Sequence, residues 1–174
     1  MTIVIPGMVT ISLLSLFYCS MLPETGRKAR MQAFERQYIA HRGFHDNRSE
    51  CPENSLPAFE RAIQMGYGIE LDVQLTKDGV PVVFHDWDLK RAAGVDRKIR
   101  DCTFEELQSY RLFGSSQTIP AFEAVLELAD GRTPLIIELK AEIVHRELCE
   151  KCAALLDCYP GEYCIESFSP LALG

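Results

Sequence analysis

From position 68 to 75 apolar and polar residues alternate without a break. Ile69, Leu71, Val73 and Leu75 fall on one face, and Glu70, Asp72 and Gln74 on the other. That period of two predicts a strand with two different faces. Further strands are predicted at 37–41, 81–85, 134–140 and 162–166. Helices are predicted at 56–65, 103–110, 120–129 and 143–157. Asn54 offers an N-cap with Pro57 tolerated in the first turn, and Pro120 opens a helix that Asp130-Gly131 follows. Strands alternating with helices predict an α/β domain built on a parallel sheet or barrel. Polar residues gather at the C-terminal ends of the strands: His41, Glu70 and Asp72, His85, Glu138 and Lys140, Ser167. A (β/α)8 barrel places its active-site residues there. Asp78-Gly79 reads as a two-residue hairpin turn, which would set Asp72 opposite His85 and Gln74 opposite Val83. A tight parallel crossover is the alternative.

The polar face of the 68–75 stretch carries the first chemical suggestion. Residues two apart on a strand lie about 7 Å apart on one side. Two carboxylates at that distance repel by roughly 2 to 2.5 kcal/mol at an effective dielectric of about 20. Inside a cavity a bound cation is the simplest compensation; on a surface, water suffices. An all-oxygen donor set suits Mg²⁺ or Ca²⁺ rather than zinc.

Composition narrows the class. The 174 residues are 47% hydrophobic with a net charge of −7, which is ordinary globular composition and unsuited to gripping a nucleic-acid backbone. The seven cysteines are scattered and form no disulfide framework. Cys149 and Cys152 fall within a predicted helix, where small buried cysteines are common, so zinc is not the favoured reading.

The chain begins with an apolar run, residues 2–22, without a charge. As a helix it would span about 31 Å, enough to cross a bilayer. Arg27, Lys28, Arg30 and Arg36 follow it, so the positive-inside rule puts the remainder on the cytoplasmic side. A cleaved signal peptide and a secreted domain form the rival reading, against which no Lys or Arg precedes the run. The expected organisation is a membrane-anchor segment at 1–22, a basic linker at 23–36 and a catalytic domain at 37–174.

With these residues assembled, the chain resembles the glycerophosphodiester phosphodiesterase family. The resemblance rests on His41-Arg42-Gly43, Pro52-Glu53-Asn54-Ser55, Glu70-Leu71-Asp72, His85-Asp86, Glu138-Leu139-Lys140 and Ser167-Phe168, in that order, from about Tyr38 onward. It implies a TIM-barrel fold, incomplete in this chain: about five strands are readable, and residues 31–174 number fewer than the roughly 250 of such a barrel. A longer parent protein is therefore expected. The resemblance further implies a metal-dependent hydrolysis of glycerophosphodiesters to an alcohol and glycerol 3-phosphate. Glu70, Asp72 and Glu138 would hold a divalent metal, Mg²⁺ or Ca²⁺. His41 and His85 would be the general acid/base pair, Arg42 and Lys140 would grip the phosphate, and Glu53 and Asn54 would support the site. Lys140 could instead simply pair with Glu138, and Asn54 could be no more than an N-cap. His45, Asp46 and Asp86 are expected as loop residues or supports behind the site with no catalytic role, and Trp87 is expected at the pocket wall or rim. The first step could be attack by the substrate's own glycerol hydroxyl or by water. Lysophospholipase D-type hydrolysis of a membrane lipid and a catalytically dead, membrane-tethered binding protein are the alternatives.

Overall fold

The computed structural model describes residues 28–35, 37–140 and 146–167. The chain divides into two units, residues 1–32 and 33–174, and the sheet with its covering helices belongs to the second. Helix α1 (Lys28–Glu35) lies within the stretch expected as a basic linker. The apolar run at 2–22 lies outside the described residues, and among those described no helix is long and apolar enough to cross a membrane.

Strand β1 (Ile39–His41) leads through a loop to α2 (Leu56–Gln64), then to β2 (Gly68–Leu75) and β3 (Pro81–Val83). Two short helices, α3 (Lys90–Ala93) and α4 (Phe104–Leu107), and two 3₁₀ turns precede α5 (Phe122–Ala129). Strand β4 (Leu135–Leu139), α6 (Arg146–Leu156) and β5 (Tyr163–Glu166) complete the succession. The sheet order is β1-β2-β4-β5, all parallel, with β3 antiparallel to the C-terminal half of β2. This is the parallel α/β arrangement expected for part of a (β/α)8 barrel.

Alternation explains the layers. Ile69, Leu71 and Val73 of β2 and Leu135, Ile137 and Leu139 of β4 are buried with Phe59 of α2, Phe122 and Val125 of α5 and Leu148 of α6. Helices therefore cover the apolar face of the sheet. The opposite face of β2 is not wetted either: Asp72 is 1% and Gln74 3% exposed. A second apolar cluster of Val82, Phe84, Leu89, Ile99, Leu107 and Ile119 seats the segment between β3 and α5. Cys102 and Cys152 are buried as small apolar side chains.

Two sequence expectations are corrected. The β2–β3 hairpin forms, but its register is one residue away from that predicted: Gln74 pairs with Val82, not Val83, and Phe84 N–H donates to Asp72 O at 2.9 Å. The connection is the three-residue Lys77-Asp78-Gly79. It closes across Thr76 and Val80, with Asp78 accepting from the Thr76 hydroxyl and Gly79 at φ +76. His85 consequently lies beyond the ladder and does not face Asp72 within it. Second, the N-cap of α2 is Ser55, whose hydroxyl accepts from Ala58 N–H. Asn54 instead adopts φ +54 and turns its amide toward β2.

Candidate active site

Strand pairing assembles the centre. The parallel register sets His41 beside Glu70 and Asp72 beside Glu138. Neighbouring strands lie about 4.8 Å apart, so side chains at one level on one face meet. Ligand atoms of Glu70, Asp72 and Glu138 lie within 4.8 Å of one another, the only such acidic group among the described residues.

Arg42 and Lys140 flank these carboxylates. Lys140 Nζ lies 2.9 Å from Glu138 Oε1 and 3.1 Å from Asp72 Oδ1. Arg42, at φ +57, turns its backbone N–H to Glu70 Oε2 at 2.9 Å, and its Nε lies 3.5 Å from Asp72 Oδ2. That turn depends on Gly43 at φ +82. A Cβ there would stand 2.9 Å from the Ala58 carbonyl carbon and 3.0 Å from the Phe59 ring. Asn54 Nδ2 donates to Asp72 Oδ2 at 2.9 Å.

These partners leave the cluster short of what three carboxylates need. Asp72 Oδ1 is buried with the Lys140 ammonium against it, and Asn54 Oδ1 is buried without a hydrogen bond. Burial, then the charges of Asp72 and Glu138, push Glu70 up to about 7 against the pull of Arg42. Oxygen donors at this spacing fit a divalent cation, which would relieve the repulsion.

The two histidines differ in setting. His41 is well exposed, with Nε2 3.9 Å from Glu70 Oε2. The partial desolvation it does have, then the Arg42 charge, lowers its pKa. His85 lines a cavity of about 450 Å³ with Trp87, Glu138 and Lys140. Gln74 holds its segment in place, since Nε2 donates to the carbonyls of Phe84 at 2.7 Å and Asp86 at 2.8 Å. His85 Nδ1 lies 2.7 Å from Asp86 Oδ1.

Glu53 does not touch the acidic cluster. It accepts from Arg42 Nη1 at 2.9 Å, Asn47 Nδ2 at 2.8 Å and both Nη atoms of Arg91. Burial raises its pKa, but these hydrogen bonds outweigh it and hold the group at about 2. Sequence reasoning left out Arg91 and gave Gln74 no role beyond the polar face of its strand, while Asp86, read as a loop or supporting residue, lies against His85. Gln74 resembled any polar residue on a strand, and nothing local marked Arg91.

The glycerophosphoryl diester phosphodiesterase family model matches residues 41–159. A glycerophosphodiester phosphodiesterase of Bacillus altitudinis is 44% identical over 59% of this chain and 43% of its own length. A human lysophospholipase D is 32% identical over 90% of this chain and 51% of its own. Among solved structures, an Oleispira antarctica phosphodiesterase in complex with the product sn-glycerol-3-phosphate superposes with a TM-score of 0.72 at 30% identity, covering 81% of this chain and 62% of that one. The chain thus spans about half the length of the curated relatives it matches. The motifs, the acidic cluster and the parallel sheet agree with this match, and the chain belongs to the glycerophosphoryl diester phosphodiesterase family.

Proposed function

We propose that this chain carries the metal and phosphate site of an enzyme that hydrolyses glycerophosphodiesters to an alcohol and glycerol 3-phosphate. One observation carries the reading: three carboxylates with converging oxygens, flanked by a lysine and an arginine, at strand ends that also bear two histidines. Glu70, Asp72 and Glu138 would hold Mg²⁺ or Ca²⁺. Such an ion polarises the phosphoryl group and offsets charge developing on its oxygens. Arg42 and Lys140 bind the non-bridging phosphate oxygens, Arg42 steadied by Glu53. Asn54 orients the Asp72 carboxylate. His41 and His85 form the acid/base pair: one takes the proton of the attacking hydroxyl, whether glycerol's or water's, and the other protonates the leaving alkoxide. With Asp86 at Nδ1, His85 exchanges its proton at Nε2.

Full-length protein should release glycerol 3-phosphate from glycerophosphocholine or glycerophosphoethanolamine, lose that activity on chelation and regain it with Mg²⁺ or Ca²⁺. Undiminished turnover by His41→Ala would refute the acid/base assignment. A lysophospholipid substrate is a second reading, supported by the human relative's match over 90% of this chain. Turnover of lysophosphatidylcholine, compared with glycerophosphocholine, separates the two. We also propose that residues 2–22 anchor the domain at the cytoplasmic face; digestion of the domain by protease added outside intact cells would overturn this.

A further inference from the structure

His85 and Arg42 follow different strands, β3 and β1. Each of these strands pairs with β2 and neither pairs with the other, so the ladder does not fix one side chain against the other. A single guanidinium spans the gap. Arg91, on the one-turn helix α3, presents one edge to Asp86, with Nε 2.6 Å from Oδ2 and Nη2 3.2 Å from Oδ1. It presents another to Glu53, with Nη1 3.0 Å from Oε2 and Nη2 2.6 Å from Oε1. Asp86 continues to His85 Nδ1 at 2.7 Å, and Glu53 continues to Arg42 Nη1 at 2.9 Å. The Phe113 ring lies against the guanidinium, 5.2 Å from its centroid.

Charges alternate along this path from Asp72 through Arg42, Glu53 and Arg91 to Asp86, which abuts the His85 ring. Arg42, Glu53 and Arg91 each have an opposite charge on both sides, which is how a partly buried set of ions avoids an uncompensated charge. Only a planar fork of donors can engage two carboxylates this way, and a lysine's point charge cannot.

We propose that Arg91 is a positioning residue that sets the acid/base histidine and the phosphate-binding arginine against each other through Asp86 and Glu53. The proposal rests on the phosphodiesterase reading for the roles of His85 and Arg42. An ionised carboxylate only accepts, so Asp86 places the proton of neutral His85 on Nδ1 and leaves Nε2 for the reacting oxygen. Arg91 holds both Asp86 oxygens and thereby keeps that carboxylate against the ring. Without it, Asp86 is free to turn toward solvent.

The test compares full-length wild type with Arg91→Gln, Arg91→Lys and Arg91→Ala. For folded Arg91→Gln and Arg91→Lys, kcat should fall by ~10²-fold, within the range general acid–base catalysis supplies. Mg²⁺ affinity should stay within ~3-fold, because Arg91 is not among the proposed metal ligands. Millimolar guanidinium ion should restore part of the rate to Arg91→Ala, which it would not do for a merely destabilised fold. Nitrogen NMR of the histidine rings should show neutral His85 as the Nδ1–H tautomer in wild type and a mixture in Arg91→Gln. If Arg91→Gln does not fold, Arg91→Lys answers the same questions. Unchanged kcat in a folded variant, or an Nε2–H tautomer in wild type, overturns the proposal. If wild type shows no turnover, the phosphodiesterase reading fails, and the tautomer comparison still decides whether Arg91 positions His85.

Discussion

Glu53 shows how much the residue type leaves unsaid. In the sequence it is a glutamate after a proline, before a predicted helix; in the fold it accepts hydrogen bonds from three side chains while 7% exposed. Its pKa is depressed from 4.5 to about 2. A depressed carboxylate contributes stability above its unfolded pKa and loses it as pH falls through the folded one. We therefore expect unfolding free energy to drop by about 2–3 kcal/mol between pH 5 and pH 2 on account of this group, at 1.36 kcal/mol per unit less an allowance for the partly exposed Arg91. Glu53→Gln should flatten that part of the profile, measured by denaturant titration at each pH. An equal acid slope in Glu53→Gln would show that the network does not hold this carboxylate ionised.

At the scale of elements, β2 is where the polar and apolar halves of the pattern meet. Its apolar residues pack under α2 and α5, while Glu70 and Asp72 contribute to the acidic cluster. Gln74 extends the polar row but works differently, by holding the carbonyls of Phe84 and Asp86 on either side of His85. Gln74→Leu keeps the bulk and strips two hydrogen bonds from a site 3% exposed. It should cost about 2–4 kcal/mol, since each buried acceptor left without a partner costs roughly 1–3 kcal/mol. Chemical denaturation checks the cost. Mg²⁺ titration by calorimetry should show that the cluster still binds, because Glu70, Asp72 and Glu138 do not depend on that bend. Loss of Mg²⁺ binding in the folded variant would contradict this separation.

For the molecule as a whole, the acidic cluster is a point of charge repulsion that a bound divalent cation would relieve. Anything binding the folded state alone stabilises it by about 2.7 kcal/mol at 100 times its Kd. For a domain of this size that raises Tm by roughly 5–10 °C. We expect Mg²⁺ or Ca²⁺ to produce such a rise, EDTA to reverse it and Asp72→Asn to abolish it, all by thermal unfolding. A Tm indifferent to both ions would count against a metal at Glu70, Asp72 and Glu138.

Much of this architecture was legible in the residue pattern, because strand and helix periods are local properties. The 68–75 alternation, the α/β succession and the gathering of Glu70, Asp72, Glu138 and Lys140 survive in the fold, although Glu70 and Asp72 lie within β2, level with the C-terminal ends of β1 and β4. Local signals failed where distant partners chose between near-equal alternatives. Asn54 and Ser55 were both good caps, and the choice fell to Ser55 because the Asn54 amide bonds Asp72, eighteen residues away. Asp78-Gly79 suited a two-residue turn, but Asp78 also caps Thr76 and accepts from Phe104 N–H, lengthening the loop and shifting the register by one. The sequence by itself determined which residue types line the site, since alternation decides the face each side chain takes. Only the tertiary structure decided how they are held: Arg91 bridges Glu53 and Asp86 across thirty-eight and five positions, and no local pattern specifies a partner at such separations.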